Sequence, residues 1–339
     1  MIPSSYLLRE TEIASRVKQD DDHLYTCANI REALAWLRVG PFSGVTNVNG
    51  IFGYYNKKNY IFRGQKNAVW QISSTISRSD NKEKDQLATK LFAGLCTLYI
   101  NSVLKSDILR MGPAFNEGFG ICAAQHYQLK TNLIDWTVQP EIAVSFANDI
   151  SGENEKGKIF MIETGKCIDL GLKVIIPPPI IKRLYLQRGL FIEHVPETLE
   201  ELNKHIITIE FPHREYEIKN TLDYIAGDIE LQPEDEWFNE LREHCHNRVS
   251  EADFIVDYDL VRESFKFRKG FGHPYLKTIT STSFDSPSDE LLAMLNNLIC
   301  SLIIEYKNGR QTVNRKIFEH VKQHNQDIFE TWDILRHPL

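Results

Sequence analysis

The apolar positions of this 339-residue chain fall into short blocks with two different periods. In "TCANIREALAWLRVGPFSG", Ile30, Ala33, Leu34 and Leu37 recur at helical spacing, and Gly40-Pro41 supplies the stop. The aromatic run "IFGYYNKKNYIFRGQ" predicts a strand or hairpin. Across 83–111, Leu87, Leu91, Leu95 and Leu98 keep to one helix face, and "EGFGICAAQHYQ" predicts a helix closely packed at Ala123 and Ala124. Leu133-Ile134 predicts a short strand running through Asp135-Trp136-Thr137 to a turn at Pro140. A helix follows with Ile142, Ala143 and Phe146 on one face. "GKIFMIE", "LKVIIPPP", "GLFIEHV" and "HIITIEF" read as strands, and the prolines stop the second. From about residue 214 the pattern turns helical and charged. Helices are predicted at "QPEDEWFNELREHCHNR", at "SPSDELLAMLNNLICSLIIEYKNG" with Ser286 or Ser288 near its cap and Gly309 at its end, and at "NRKIFEHVKQHNQDIFETWDILRH". No internal repeat or low-complexity tract interrupts this order.

Composition narrows the class. Apolar content of 42% and charged content of 25% are those of an ordinary soluble protein of one or two domains. Lys and Arg total 39 against 46 Asp and Glu, a net charge of −7. That balance argues against a broad non-specific nucleic-acid surface and leaves room for a local basic groove. The six cysteines are scattered with no C-x-x-C pair, as expected of reduced thiols in a cytoplasmic protein. The N-terminal stretch lacks the pattern of a signal peptide, and no run approaches the roughly 18 apolar residues of a membrane helix. No membrane association is expected.

Arg63 is the first residue to need explaining, because it sits inside an apolar strand pattern between Phe62 and Gly64. It either pairs with a buried carboxylate such as Asp135 or holds an anionic ligand. His126 is placed to stack on a ligand or to act as a base. His244-Cys245-His246 does not suit a metal, since adjacent helical residues point apart and no second ligand pair is spaced to complete a site. Ser281-Thr282-Ser283 reads as a helix N-terminus with its caps.

Three spaced segments resemble the FRG domain family, named for its Phe-Arg-Gly motif and common in bacteria and phages. They are "FRGQ" with Trp70 and "STISR" ending at Arg78, then "AAQHYQLKTNLIDWTVQPEIAVSFAND", then "RLYLQRGLF". Gln128 stands where that family usually has glycine. The resemblance spans roughly residues 44–230. It implies an FRG domain at 44–240, between an N-terminal helical segment at 1–43 and a helical accessory region at 241–339.

The same order of segments is similar, at longer range, to ADP-ribosyltransferases of the Arg–Ser/Thr–Glu type. This resemblance implies an α+β fold with an ADP-ribosyltransferase-like split β-sheet core, flanking helices and a mainly helical C-terminal region. It implies NAD as a substrate and no metal. Arg63 would clamp the pyrophosphate with two parallel donors, Gly64 would let the backbone approach the ligand, and Gln65 would join them at the cofactor. Thr137 would hydrogen-bond the nicotinamide ribose, and Gln187 would occupy the place of the acidic residue. A strand over 187–193 would put Gln187, Gly189, Phe191 and Glu193 on one face, with Glu193 the second choice for the acid. The acceptor would be a protein or nucleic acid, in bacterial anti-phage defence or as a toxin, with a regulatory protein partner possible. The alternative is a non-catalytic nucleotide-sensing or protein-interaction module, motivated by glutamine in place of glutamate. A nuclease is the weaker alternative, for want of paired carboxylates at metal spacing.

Overall fold

The computed structural model describes residues 4–48, 51–103, 113–148, 154–177, 182–193, 196–213, 233–251, 289–307, 310–326 and 328–329. Its strands are β1 (Lys18–Gln19), β2 (Leu24–Thr26), β3 (Ser43–Val48), β4 (Ile51–Asn56), β5 (Tyr60–Gln65), β6 (Leu133–Thr137), β7 (Lys156–Glu163), β8 (Val174–Ile175), β9 (Gly189–Glu193), β10 (Ile207–Pro212), β11 (Ile304–Lys307) and β12 (Arg310–Val313). Its helices are α1 (Ser4–Ala14), α2 (Ile30–Val39), α3 (Lys82–Val103), α4 (Pro113–His126), α5 (Pro140–Ala147), α6 (Thr164–Asp169), α7 (Lys182–Leu186), α8 (Pro196–Asn203), α9 (Pro233–Glu251), α10 (Asp289–Ile303) and α11 (Arg315–His324).

This is a mixed α+β fold around one eight-stranded sheet, in the order β1-β2-β10-β7-β5-β6-β9-β8. Every pairing is antiparallel except β10 with β2. β3 and β4 form a separate hairpin, as do β11 and β12. The registers are uneven in one place. β5 runs in register with β7 from Tyr60 to Gln65, and β6 with β9 over its whole length. Between β5 and β6 only Phe62 and Thr137 are paired. The sheet therefore forks immediately after Phe62, at Arg63.

Alternation along the strands sends side chains to two cores. Tyr60, Phe62, Ile159 and Met161 pack under α1, α2 and α5 on one side. Ile61, Phe160 and Ile162 face the larger core on the other. Each fully buried Phe or Leu there contributes about 1.5–3 kcal/mol. Trp237 and Phe238 of α9, Leu298 of α10 and Ile317 of α11 belong to the same larger core. α11 also closes an edge. Buried Asn325, at its C-cap, donates to the Val174 carbonyl at 2.8 Å and accepts from the Ile176 N–H at 2.6 Å. One amide thus satisfies the backbone of β8, the terminal strand of the sheet.

Several expectations shift. The helix predicted to run to Gly309 ends at Ile303, and the β-branched and aromatic run Ile304–Lys307 becomes a hairpin strand. "LKVIIPPP" keeps only two strand residues. On α5 the buried residues are Ile142, Ala143, Val144 and Ala147, while Phe146 is 49% exposed. Ser281, Thr282, Ser283, Ser286 and Ser288 lie outside the described residues. His244, Cys245 and His246 diverge as helical neighbours should: Cys245 is in the core and His246 is exposed. Among the described residues, no helix is long and apolar enough to cross a membrane.

Candidate functional site

A cleft of about 560 Å³ opens at the fork. One wall is the end of β5, with Arg63, Gly64 and Gln65. The second is the end of β6, with Asp135, Trp136 and Thr137. The third is the α7–β9 junction, with Gln187 and Gly189. Gln125 and His126, at the end of α4, also line it. The volume suits a drug-sized or nucleotide-sized ligand.

Arg63 bridges the fork. Its Nη1 donates to the Asp135 carbonyl at 2.7 Å, where the β5–β6 ladder has ended, and lies 3.5 Å from the Asp135 carboxylate. The Arg63 side chain is 18% exposed and that of Asp135 is 51% exposed. Burial pushes the Arg63 guanidinium below its usual pKa; Asp135 pulls it back up, and Arg78 adds repulsion. An arginine so placed still carries its charge at neutral pH. Among the described residues its Nε is buried with no hydrogen-bond partner, as are Gln65 Oε1 and Trp136 Nε1. All three atoms belong to residues that line the cleft, but each is itself shielded from solvent by the surrounding protein. A buried polar atom without a partner costs about 1–3 kcal/mol.

The long motif "AAQHYQLKTNLIDW" builds the support of Arg63. Gln125 Nε2 donates to the Asp135 carboxylate at 2.9 Å, and Gln125 Oε1 accepts from the Thr131 hydroxyl. Thr131 Oγ1 accepts from the Leu133 N–H at 3.0 Å, and the Thr131 N–H donates to Thr75 Oγ1 at 2.9 Å. That last bond ties down the 3₁₀ turn Ile76–Arg78, which brings Arg78 to the cleft. One chain of hydrogen bonds therefore runs Thr75–Thr131–Gln125–Asp135–Arg63. Gln125, Arg78, Lys66 and Phe146 all line the cleft and were not picked out as site residues from sequence. The signal for Gln125 was its place in the same motif as Asp135.

Gln128, at the position where glycine was expected, has φ +68°. It ends α4 as the left-handed residue of a Schellman turn. The Leu129 N–H reaches the Ala124 carbonyl at 2.9 Å, and the Gln128 N–H reaches Gln125 at 3.2 Å. Glycine fits that conformation without a Cβ penalty.

The remaining expected residues divide. His126 lines the cleft, edge-on to Tyr127. Gln187 lines it too, but from the turn before β9 rather than from the strand. Thr137 is buried, and its hydroxyl is committed: it donates to the Gln187 carbonyl at 2.8 Å and accepts from the Gln139 N–H at 3.1 Å. Its single proton fastens the second wall to the third, so it cannot also donate to a ribose. Gly64 is covered by α5, not by open space. A Cβ there would lie 1.9 Å from the Ala143 carbonyl oxygen and 2.6 Å from the Ala147 nitrogen. Its missing side chain serves helix-on-strand packing rather than ligand approach.

Glu193 does not reach the cleft. In the β6–β9 register Gly189 faces Thr137 while Glu193 faces Leu133, at the far end of both strands. Phe191 is the last residue of β9 to line the cleft, and Glu193 lies two residues, about 7 Å, beyond it. Its carboxylate holds Lys173 at 2.7 Å and Asn132 at 2.9 Å. Among the described residues Asp135 is the carboxylate that lines the cleft, against the cations Arg63, Lys66 and Arg78. Lys66 and Arg78 are exposed and make no ion pair among the described residues. No group of three His, Cys, Asp or Glu suited to a metal occurs among the described residues.

Neither a curated protein nor a solved structure matches the chain. Residues 58–156 match the FRG domain family, a span that contains Arg63, Arg78, Gln125, Asp135 and Thr137 and stops short of Gln187. The chain therefore carries an FRG domain, and the hydrogen-bonded frame around Arg63 lies wholly inside it.

Proposed function

We propose that the forked cleft binds NAD and that the protein is an ADP-ribosyltransferase-like enzyme acting on a macromolecule. One observation carries the reading. β5, β6 and β9 are consecutive in the sheet, so the Arg63 strand, the Thr137 strand and the Gln187 junction are adjacent walls of one cleft. In this reading the exposed part of the Arg63 guanidinium meets the pyrophosphate at the cleft. Gln65 borders the ribose, and Gln187 presents its amide to the nicotinamide ribose. Thr137 holds Gln187 in place rather than touching the ligand. The bond from ribose C1′ to nicotinamide breaks, its electron pair leaves with nicotinamide, and an acceptor lone pair takes the carbon. The acceptor proton passes to His126 or to water.

A second reading has its own observation. Asp135, the carboxylate lining the cleft among the described residues, is engaged by Arg63 and Gln125 and poorly placed to stabilise a ribose cation. A cleft so built binds a nucleotide without cleaving it. Incubation with radiolabelled NAD and cell extract separates the two. The transferase reading expects label on a macromolecule with wild type and only background with Arg63→Ala. Equal label from both proteins sinks it. Saturable NAD binding without turnover establishes the binding module instead.

A further inference from the structure

We propose that the mouth of the cleft is a stacking platform for single-stranded nucleic acid. Its service as the acceptor rests on the transferase reading above; its binding does not. Few large apolar side chains are exposed on the described surface, and Val69, Trp70 and Phe146 are among them at 78%, 50% and 49%. Trp70 and Phe146 both border the cleft, on separate elements.

The Trp70 loop is held rather than loose. The Val69 N–H donates to Asn67 Oδ1 at 2.9 Å, and the Ala68 N–H donates to the Lys156 carbonyl at 2.9 Å. The His213 ring meets the Lys66 carbonyl at 2.7 Å. An aromatic ring kept in water on a pinned loop is preorganised to meet a flat partner, and it loses little entropy on doing so. Lys66 and Arg78 stand on the same cleft with no carboxylate partner among the described residues. A local cationic rim on a chain of net charge −7 selects for a polyanion. Flat apolar faces beside unpaired cations match nucleobases joined by phosphates, and every base has a face to stack. An acidic peptide would satisfy the cations and leave the rings wet. In the transfer, a base nitrogen attacks ribose C1′, the nicotinamide leaves with the bonding pair, and the nitrogen's proton goes to water.

The test is fluorescence anisotropy of a labelled dT12 oligonucleotide titrated with the full chain, beside NAD titration of the same proteins. Expected are saturable dT12 binding and a log–log salt slope of about −1 to −2, as for two phosphate contacts. Trp70→Ala and Phe146→Ala should each weaken dT12 binding by about 5- to 100-fold. Both side chains are half exposed, so their melting temperatures should match wild type. Trp70→Phe should retain most of the affinity. Stacking on Trp70 should also quench part of the intrinsic tryptophan emission, and Trp70→Ala should abolish that quenching. No dT12 binding, or binding indifferent to Trp70→Ala, overturns the proposal. So does a parallel loss of NAD and dT12 binding in that variant, which would assign the rings to the dinucleotide. Intact dT12 binding with no NAD binding overturns the transferase reading and upholds this one.

Discussion

Gly64→Ala tests the packing that shapes the fork. The added Cβ would stand 1.9 Å from a backbone oxygen of α5, where ordinary contact begins near 3.4 Å, so the helix must retreat by about 1.5 Å. No side chain can swing aside, because the obstructing atoms are backbone. Retreat opens a gap beneath Ile142, Ala143, Val144 and Ala147, all buried. Even a 0.5–1 Å gap forfeits roughly a quarter to a half of the dispersion energy of the atoms facing it. Overpacking of this kind costs about 3 kcal/mol or more, and for a chain of this length the melting temperature should fall on the order of 5 °C. Urea unfolding followed by far-UV circular dichroism reads the cost. Gly94→Ala is the matched control, since a Cβ at that position in α3 meets nothing within 4 Å. It should stabilise by about 0.5–1 kcal/mol. If Gly64→Ala were as stable as wild type yet lost nucleotide binding, the packing explanation would be wrong. The glycine would then serve the ligand.

Other expectations follow from the same frame. Gln128→Gly relieves the left-handed residue after α4 and should raise the free energy of urea unfolding by about 0.5 kcal/mol, the strain relieved exceeding glycine's unfolded entropy. Thr131→Val keeps the shape but strips the Leu133 N–H and the Gln125 carbonyl of a partner; it should cost about 2–3 kcal/mol by chemical denaturation. Asp85 is pushed up by burial but pulled further down by hydrogen bonds from Lys130 and Ser79, so its folded pKa lies below its usual 3.8. Its stabilising contribution is complete above the unfolded value and drains away as pH falls through the folded one. Asp85→Asn should therefore flatten the acid limb of a stability–pH curve while leaving its shape near neutrality unchanged.

Elements with a complete local signal were legible in the sequence. α2 has its apolar stripe, an Asn29 cap that accepts from the Glu32 N–H, and Gly40 to stop it. β6 and α5 were read in order from "LIDWTVQPEIAVSFA", because Pro140 marks the helix start. What local signals could not carry was register. Glu193 shares a strand face with Gly189 on paper, yet only the β6–β9 pairing reveals that the two lie at opposite ends of the ladder. Gly64 looked like a ligand glycine because nothing nearby in sequence announces that α5 lies over it. Gln125 went unmarked for a related reason. Its value lies in joining Thr131 to Asp135, a three-residue relation created by the helix-to-strand turn. Arg63 raised both a structural and a ligand reading; the structure shows its pairing with Asp135 and its place on the cleft. One nitrogen is spent on Asp135, and another is buried without a partner among the described residues.

The central claim is that this fork is a NAD site, and a crystal structure of the chain with NAD tests it most directly. The account predicts pyrophosphate oxygens within about 3 Å of Arg63 and the nicotinamide ribose beside Gln187. NAD bound elsewhere, or an empty fork at saturating NAD, would contradict it.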